Sequence, residues 1–233
     1  ATDGSELLSK IFELNSTLKK TIKNITPRNP SLPFIFCLTP VGKNHNAISF
    51  ISKSVPSDTL LTYKKEIVYG GKKIRTFEKG GQIFYDSKIG NLKMISESQL
   101  INENGIRNYK RKSSGITNLD FFQLVESVDK NLPINFIIHP LSKPIINSFF
   151  PNPPLFPPTG KQWIALDLDV NGNYFSLDGI AFLNDSIPDK LSIIKSLDPN
   201  ETKLHDLVPK NFTSYLSLSV NDNQKLEENF KEF

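Results

Sequence analysis

The sequence predicts an α+β fold, antiparallel β-meanders with helices packed on one face. Three features lead there. Segments such as Leu166–Val170 alternate apolar and polar residues, the period of a half-buried strand. Pairs such as Gly70-Gly71, Gly90-Asn91 and Asn171-Gly172 separate such segments at hairpin spacing. Apolar residues at 3.6-residue spacing mark helices between the strand groups.

Leu7, Leu8, Ile11, Leu14 and Leu18 form the first helical stripe, which Asp3 or Ser5 can cap and which stops before Pro27. Phe34–Leu38 and Ala47–Ser52 read as strands around the polar loop Gly42–Asn46. Glu66–Tyr69 and Lys73–Glu78 form a hairpin through Gly70-Gly71, since both glycines tolerate positive φ. Gln82–Ser87 and Leu92–Ser96 pair across Gly90-Asn91. Ser98 then caps a short helix whose apolar residues are Leu100 and Ile101, leading into a basic segment.

From Gly115 a second series begins. Leu119–Val128 is an amphipathic helix with Phe121, Phe122, Leu124, Val125 and Val128 as its stripe, and Ile134–Ile138 is a strand. The prolines of residues 151–158 lack the N–H a ladder needs, so that segment reads as an extended connection. Trp163–Val170, Asn171-Gly172 and Asn173–Phe182 form a hairpin with a two-residue type I′ turn. Paired outward from that turn, Leu166, Leu168, Val170, Phe175 and Leu177 share one face. Asp167, Asp169, Tyr174, Ser176 and Asp178 occupy the other, with Asp167 and Asp178 as diagonal neighbours. A helix at Lys190–Leu197, a strand at Ser214–Val220 and a polar helix at Asn223–Phe233 close the chain.

The shared order of elements suggests two related units, 1–115 and 116–233, or one continuous domain. Charge follows the same division. The 28 Lys+Arg and 24 Asp+Glu give a net +4, but residues 1–115 are basic and 116–233 acidic. Such a split fits a basic face for an anionic partner, or two lobes attracting one another. Lys64-Lys65, Lys72-Lys73 and Lys110-Arg111-Lys112 fall at presumed strand edges and hairpin tips, where lysine discourages edge-to-edge aggregation. No aromatic-plus-arginine stacking pattern accompanies them, so nucleic acid is not the expected partner.

Composition narrows the chemistry further. Asn, Ile and Lys (22, 24 and 24) far outnumber Ala and Arg (four each), so a lysine or asparagine carries little weight by presence alone. Cys37 lies in an apolar strand-like run and, as the one cysteine, allows no internal disulfide. The chain has no Gly-x-Ser-x-Gly elbow, and His45, His139 and His205 sit in a loop, at a strand end and beside a helix terminus. No CxxC, HExxH or calcium-loop spacing occurs, so neither metal nor cofactor is expected. Asp167 and Asp178 could do acid/base work on a glycosidic bond. A solvated face of an antiparallel sheet would place them there equally well.

Two stretches resemble a known family. Pro209-Lys210-Asn211-Phe212-Thr213, the strand after it and Asn221-Asp222 resemble the "P-x-N-(S/T), strand, N-D, helix" openings of an uncharacterised family of Bacteroidota envelope lipoproteins. Trp163 to Gly179 looks like that family's "W-x-x-x-D, hairpin, L-x-G" pattern. The resemblance implies export to the cell envelope, a lipid anchor on a cysteine upstream of residue 1, and often a β-propeller-like region afterwards. Asp58-Thr59-Leu60 and Asp185-Ser186-Ile187 resemble the O-glycosylation sites of exported Bacteroidota proteins.

The expected function is therefore a non-catalytic lipoprotein domain, an interaction scaffold in an outer-membrane or cell-surface assembly. One alternative is a glycan- or peptide-binding module using Trp163, Tyr174 and the acidic face carrying Asp167 and Asp178. Another is a hydrolase using Asp167 and Asp178.

Overall fold

A computed structural model describes residues 16–25, 33–42, 45–53, 62–111, 119–139, 142, 163–171, 174–182, 193–194, 197–198 and 220–232. It is an α+β protein with one six-stranded antiparallel sheet and one three-stranded antiparallel sheet. The first sheet holds β1 (Phe34–Val41), β2 (His45–Lys53), β3 (Tyr63–Tyr69), β4 (Lys72–Lys79), β5 (Gln82–Ile89) and β6 (Leu92–Ser96). Its strand order is β1-β2-β6-β5-β4-β3. After the β1–β2 hairpin the chain starts again at the far edge with β3. It then returns as a meander until β6 pairs with β2. Tight turns make this possible: Gly70 and Gly71 both hold positive φ, 55° and 75°, which the closing turn between Tyr69 and Lys72 requires.

Alternation along these strands sorts the core into two clusters on opposite faces. Phe50, Phe77, Phe84 and Ile95 lie on one face under helix α1 (Ser16–Ile25), which contributes Ile22 and Ile25. Burying each phenylalanine stabilises the fold by roughly 2–3 kcal/mol in transfer free energy. On the reverse face Ala47, Ile74, Ile89 and Met94 meet Ile101 and Ile106 of helix α2 (Gln99–Arg111). The α+β meander is as the sequence predicts, but α1 and α2 cover opposite faces of this sheet rather than one. This is why β2 is buried along both sides and does not alternate buried and solvated positions.

Hydrogen bonds fix α1 in place. Thr21 accepts from Gln82 Nε2 (2.9 Å) and donates to Glu97 Oε1 (3.0 Å), while Glu97 Oε2 accepts the Ile48 N–H (2.9 Å). Asn24 Nδ2 donates to Gln82 Oε1 (2.8 Å). The expected end of this helix before Pro27 is observed, while Asp3, Ser5, Leu7, Leu8, Ile11 and Leu14 lie outside the described residues.

Helix α2 corrects the sequence reading. It is not a short helix leading into a basic segment, but a 13-residue helix that includes Lys110 and Arg111. Leu100, expected to face the core, is 56% exposed, and Asn102 and Ile106 are buried instead. The sequence there is polar and broken by Gly105, so propensity alone stops the helix early. Tertiary contact overrides it: a Cβ on Gly105 would lie 3.0 Å from Met94 Sδ and 3.1 Å from Ile89 Cδ1, so a larger residue there makes those side chains give way by a few tenths of an ångström.

The second sheet has order β7-β8-β9, with β7 (Ile134–Ile138), β8 (Ile164–Asn171) and β9 (Tyr174–Ala181). Helix α3 (Leu119–Ser127) precedes it and buries Leu124 completely, whereas Phe122 of the expected stripe is 47% exposed. Helix α4 (Asn223–Glu232) begins where Asp222 Oδ1 accepts the Lys225 N–H at 3.0 Å, an N-cap. It reaches back through Asn229 Nδ2, which donates to the Ile193 carbonyl at 2.8 Å. The 151–158 connection, most of the 190–197 helix, and the 214–220 strand except Val220 lie outside the described residues, as do His205, Thr59 and Ser186. Among the described residues no helix is long and apolar enough to cross a membrane.

Candidate functional site

The β8–β9 hairpin carries the residues singled out by sequence. Its closing pair is Asn171 with Tyr174, where the sequence reading closes the hairpin on Val170 and Asn173. The shift moves the partner strand by two residues and leaves the face assignment unchanged. Leu168 now pairs with Leu177 instead of Phe175, on the same face. Asp167 and Asp178, however, stand directly opposite one another rather than diagonally.

Each of these side chains has a local reason to be where it is. Asp167 Oδ2 accepts the Asp129 N–H (3.0 Å) and its Oδ1 accepts from Asn135 Nδ2 (2.8 Å). Asn135 also donates to the Asp129 carbonyl (2.9 Å), so one carboxylate holds the α3–β7 connection against β8. Asp178 is exposed and accepts a long bond from Ser176 Oγ (3.4 Å).

Trp163, half-buried before β8, packs edge-on between Phe121 (4.8 Å between centroids) and His139 (4.6 Å). It joins α3 to the end of β7. Tyr174 begins β9 at the other end of the hairpin, roughly 26 Å away along the strands at ~3.3 Å per residue. The register therefore brings Asp167 and Asp178 together, but separates Trp163 from Tyr174. Gly179 completes the pattern: a Cβ there would lie 2.4 Å from Leu166 Cδ2, its cross-strand neighbour's side chain.

A second cluster gathers at one end of the six-stranded sheet. The Gly70-Gly71 turn, the Gly90-Asn91 turn and the C-terminal part of α2 all lie there. On the α1 face an open groove of about 510 Å³ is lined by Gly71, Lys72, Lys73, Arg75, Lys88 and Gly90. On the α2 face a shallower one of about 250 Å³ is lined by Tyr69, Gly70, Ile106, Arg107, Lys110 and Arg111.

Arg75 is held firmly in the first groove. It pairs with fully buried Asp86 (Nη2 to Oδ2, 2.8 Å) and its guanidinium stacks 4.2 Å over the Tyr63 ring. Tyr63 Oη donates to the same Asp86 oxygen at 2.8 Å, while Asp86 Oδ1 is buried with no hydrogen-bond partner among the described residues. Arg107 is fixed similarly, donating from Nε (3.1 Å) and Nη2 (2.7 Å) to Tyr69 Oη.

The lysines divide between two settings. Lys64 and Lys65 lie on β3, an edge strand, and Lys64 pairs with Glu78. That is the protective placement expected from the sequence. Lys73 pairs with Glu66 (2.8 Å), whereas Lys72, Lys88, Lys110 and Arg111 have no ion-pair partner among the described residues.

Sequence reasoning missed Asn102. It is fully buried, accepts from Ser87 Oγ (2.5 Å) and donates to Ser96 Oγ (2.6 Å) and the Tyr85 carbonyl (3.2 Å). In a chain with 22 asparagines only the contact reveals it. Cys37 is half-buried in β1, and desolvation raises its thiol pKa, partly offset by a hydrogen bond with Ser49. Among the described residues no three His, Cys, Asp or Glu side chains gather as a metal site. Compared with known proteins, the chain matches no family model, no curated protein and no solved structure.

Proposed function

We propose that this chain is a non-catalytic domain of an exported, lipid-anchored envelope protein, serving as an interaction scaffold in an outer-membrane or cell-surface assembly. The observation that carries this reading is the fate of Asp167: both of its oxygens are occupied in holding the α3–β7 connection. Trp163 and Gly179, which with Asp167 and Leu177 carry the resemblance to envelope lipoproteins, are likewise packing residues. What they support is a scaffold conserving its shape while its surface makes contacts. The anchor belongs upstream of residue 1.

Cross-linking of the tagged full-length protein in intact cells, followed by purification from membranes, tests the proposal. It expects one envelope protein in fixed stoichiometry, retained when Asp178 is changed to Asn. Recovery of no stable partner, or hydrolysis of a glycan lost in Asp178→Asn, would contradict it.

A further inference from the structure

The basic end of the six-stranded sheet has the form of a docking surface for an anionic lipid plane. Its cations lie on both faces: Lys73 and Lys88 beside Arg75 on the α1 side, Arg107, Lys110 and Arg111 on the α2 side. Lys53 and Lys93 extend it, because Lys53 pairs with Leu92 and Lys93 with Lys88 across the same end. Among the described residues the carboxylates nearest these cations are Glu66, already paired with Lys73, and Glu103, one turn before Arg107 on α2 and bonded to Gln99. Lysine enrichment of the whole chain does not explain this asymmetry, because the opposite end mixes Lys64 and Lys79 with Glu78 and Glu97.

Apolar side chains share this end. Val68 is 69% exposed one pair from the Gly70-Gly71 turn, Leu92 is 40% exposed after Gly90-Asn91, and Tyr109 is 56% exposed against Gly90. A small anion in the 510 Å³ groove would meet only the α1-side cations. A broad surface meets both sides of the turns at once and receives the apolar tips at its headgroup boundary. We infer that this end docks end-on to a bilayer bearing anionic phosphate headgroups. Each cation near such a surface contributes about 1 kcal/mol, falling off within a Debye length.

The inference rests on the sheet alone and is independent of the scaffold proposal. Its test therefore uses the chain without any lipid anchor, sedimented with phosphatidylcholine vesicles with or without phosphatidylglycerol. Binding is expected only with phosphatidylglycerol and is lost as salt is raised. Changing Lys72, Lys88 and Lys110 together to Gln weakens it on the order of 100-fold, taking ~1 kcal/mol per cation. The same charge change at Lys20, Lys65 and Lys79 leaves it within a few-fold, and Val68→Ser with Leu92→Ser weakens it several-fold.

Apart from half-buried Lys72 these positions are exposed and leave the fold intact, which circular dichroism verifies for every variant. Equal loss in both lysine triples would show that net charge alone binds and would overturn the inference. So would tighter binding to soluble polyglutamate or to single-stranded oligonucleotide, or binding that ignores phosphatidylglycerol.

Discussion

The two sheets use polar residues in opposite ways. Around the six-stranded sheet, covered by α1 and α2 on opposite faces, polar side chains are buried and hydrogen-bonded as internal fasteners, Asn102 of α2 and Thr21 of α1 each bonding to strand residues. In the three-stranded sheet the carboxylates stay at or near the surface, and Asp167 acts at its rim by holding a connection. Similar residue types in strands thus act as core or as rim depending on what covers them. Only the first arrangement leaves unpaired cations free to collect at one end.

The largest expected effect strikes the first sheet. Asn102→Leu strands the Ser87 hydroxyl and removes one bond each from the Tyr85 carbonyl and from Ser96 Oγ, which keeps its bond to the Ser98 carbonyl. The cost is about 3–4 kcal/mol, at ~1–3 kcal/mol for the stranded group and ~1 kcal/mol per lost bond. Urea unfolding measures it, and a loss below ~1 kcal/mol would break the contrast between the sheets.

Asp86→Asn follows at about 2 kcal/mol. Breaking a buried ion pair costs ~3–5 kcal/mol, lessened here because the Arg75 side chain is 36% exposed. The same variant frees Arg75, so its anion binding becomes less specific while the unfolding midpoint falls.

Asp167→Asn, in the second sheet, costs only about 1 kcal/mol, the net worth of an exposed charge-assisted bond. Its signature is local: amide exchange quickens at Asp129 and Asn131 while Ile74 and Phe84 stay protected.

The smallest effect is at Cys37. Burial raises its pKa, so the folded chain keeps the proton longer than the unfolded one. That contribution is fully present below the unfolded thiol's ~8.5 and is lost as pH rises through the folded value. The unfolding midpoint of the wild-type chain should fall more steeply across this range than that of Cys37→Ala.

How much of this was legible beforehand follows the range of the forces involved. Hairpins closed by glycine pairs were readable, because a positive φ at Gly70-Gly71 is a local demand. So was the 134–138 strand, to the residue. The β8–β9 hairpin was readable in its faces but not in its closing pair, since alternation is unchanged by a two-residue shift. Helix α2 was read too short because Asn102, Gly105 and Ile106 gain their place from β5 and β6, far away in sequence. Trp163 and Tyr174 looked like one platform because their separation becomes visible only once the hairpin is laid out. The basic end escaped for the same reason: Lys72, Lys88 and Lys110 come together through sheet order and helix placement.

The most direct test of the central claim, that contacts belong to the six-stranded sheet's basic end and that the hairpin carboxylates are structural, is one binding curve taken three times. Phosphatidylglycerol vesicles are titrated with the wild-type chain, with Asp167→Asn/Asp178→Asn, and with Lys72→Gln/Lys88→Gln/Lys110→Gln. The account requires the first two curves to coincide and the third to shift by about two orders of magnitude. If the aspartate variant shifts while the lysine variant follows wild type, function resides in the hairpin and the account is wrong.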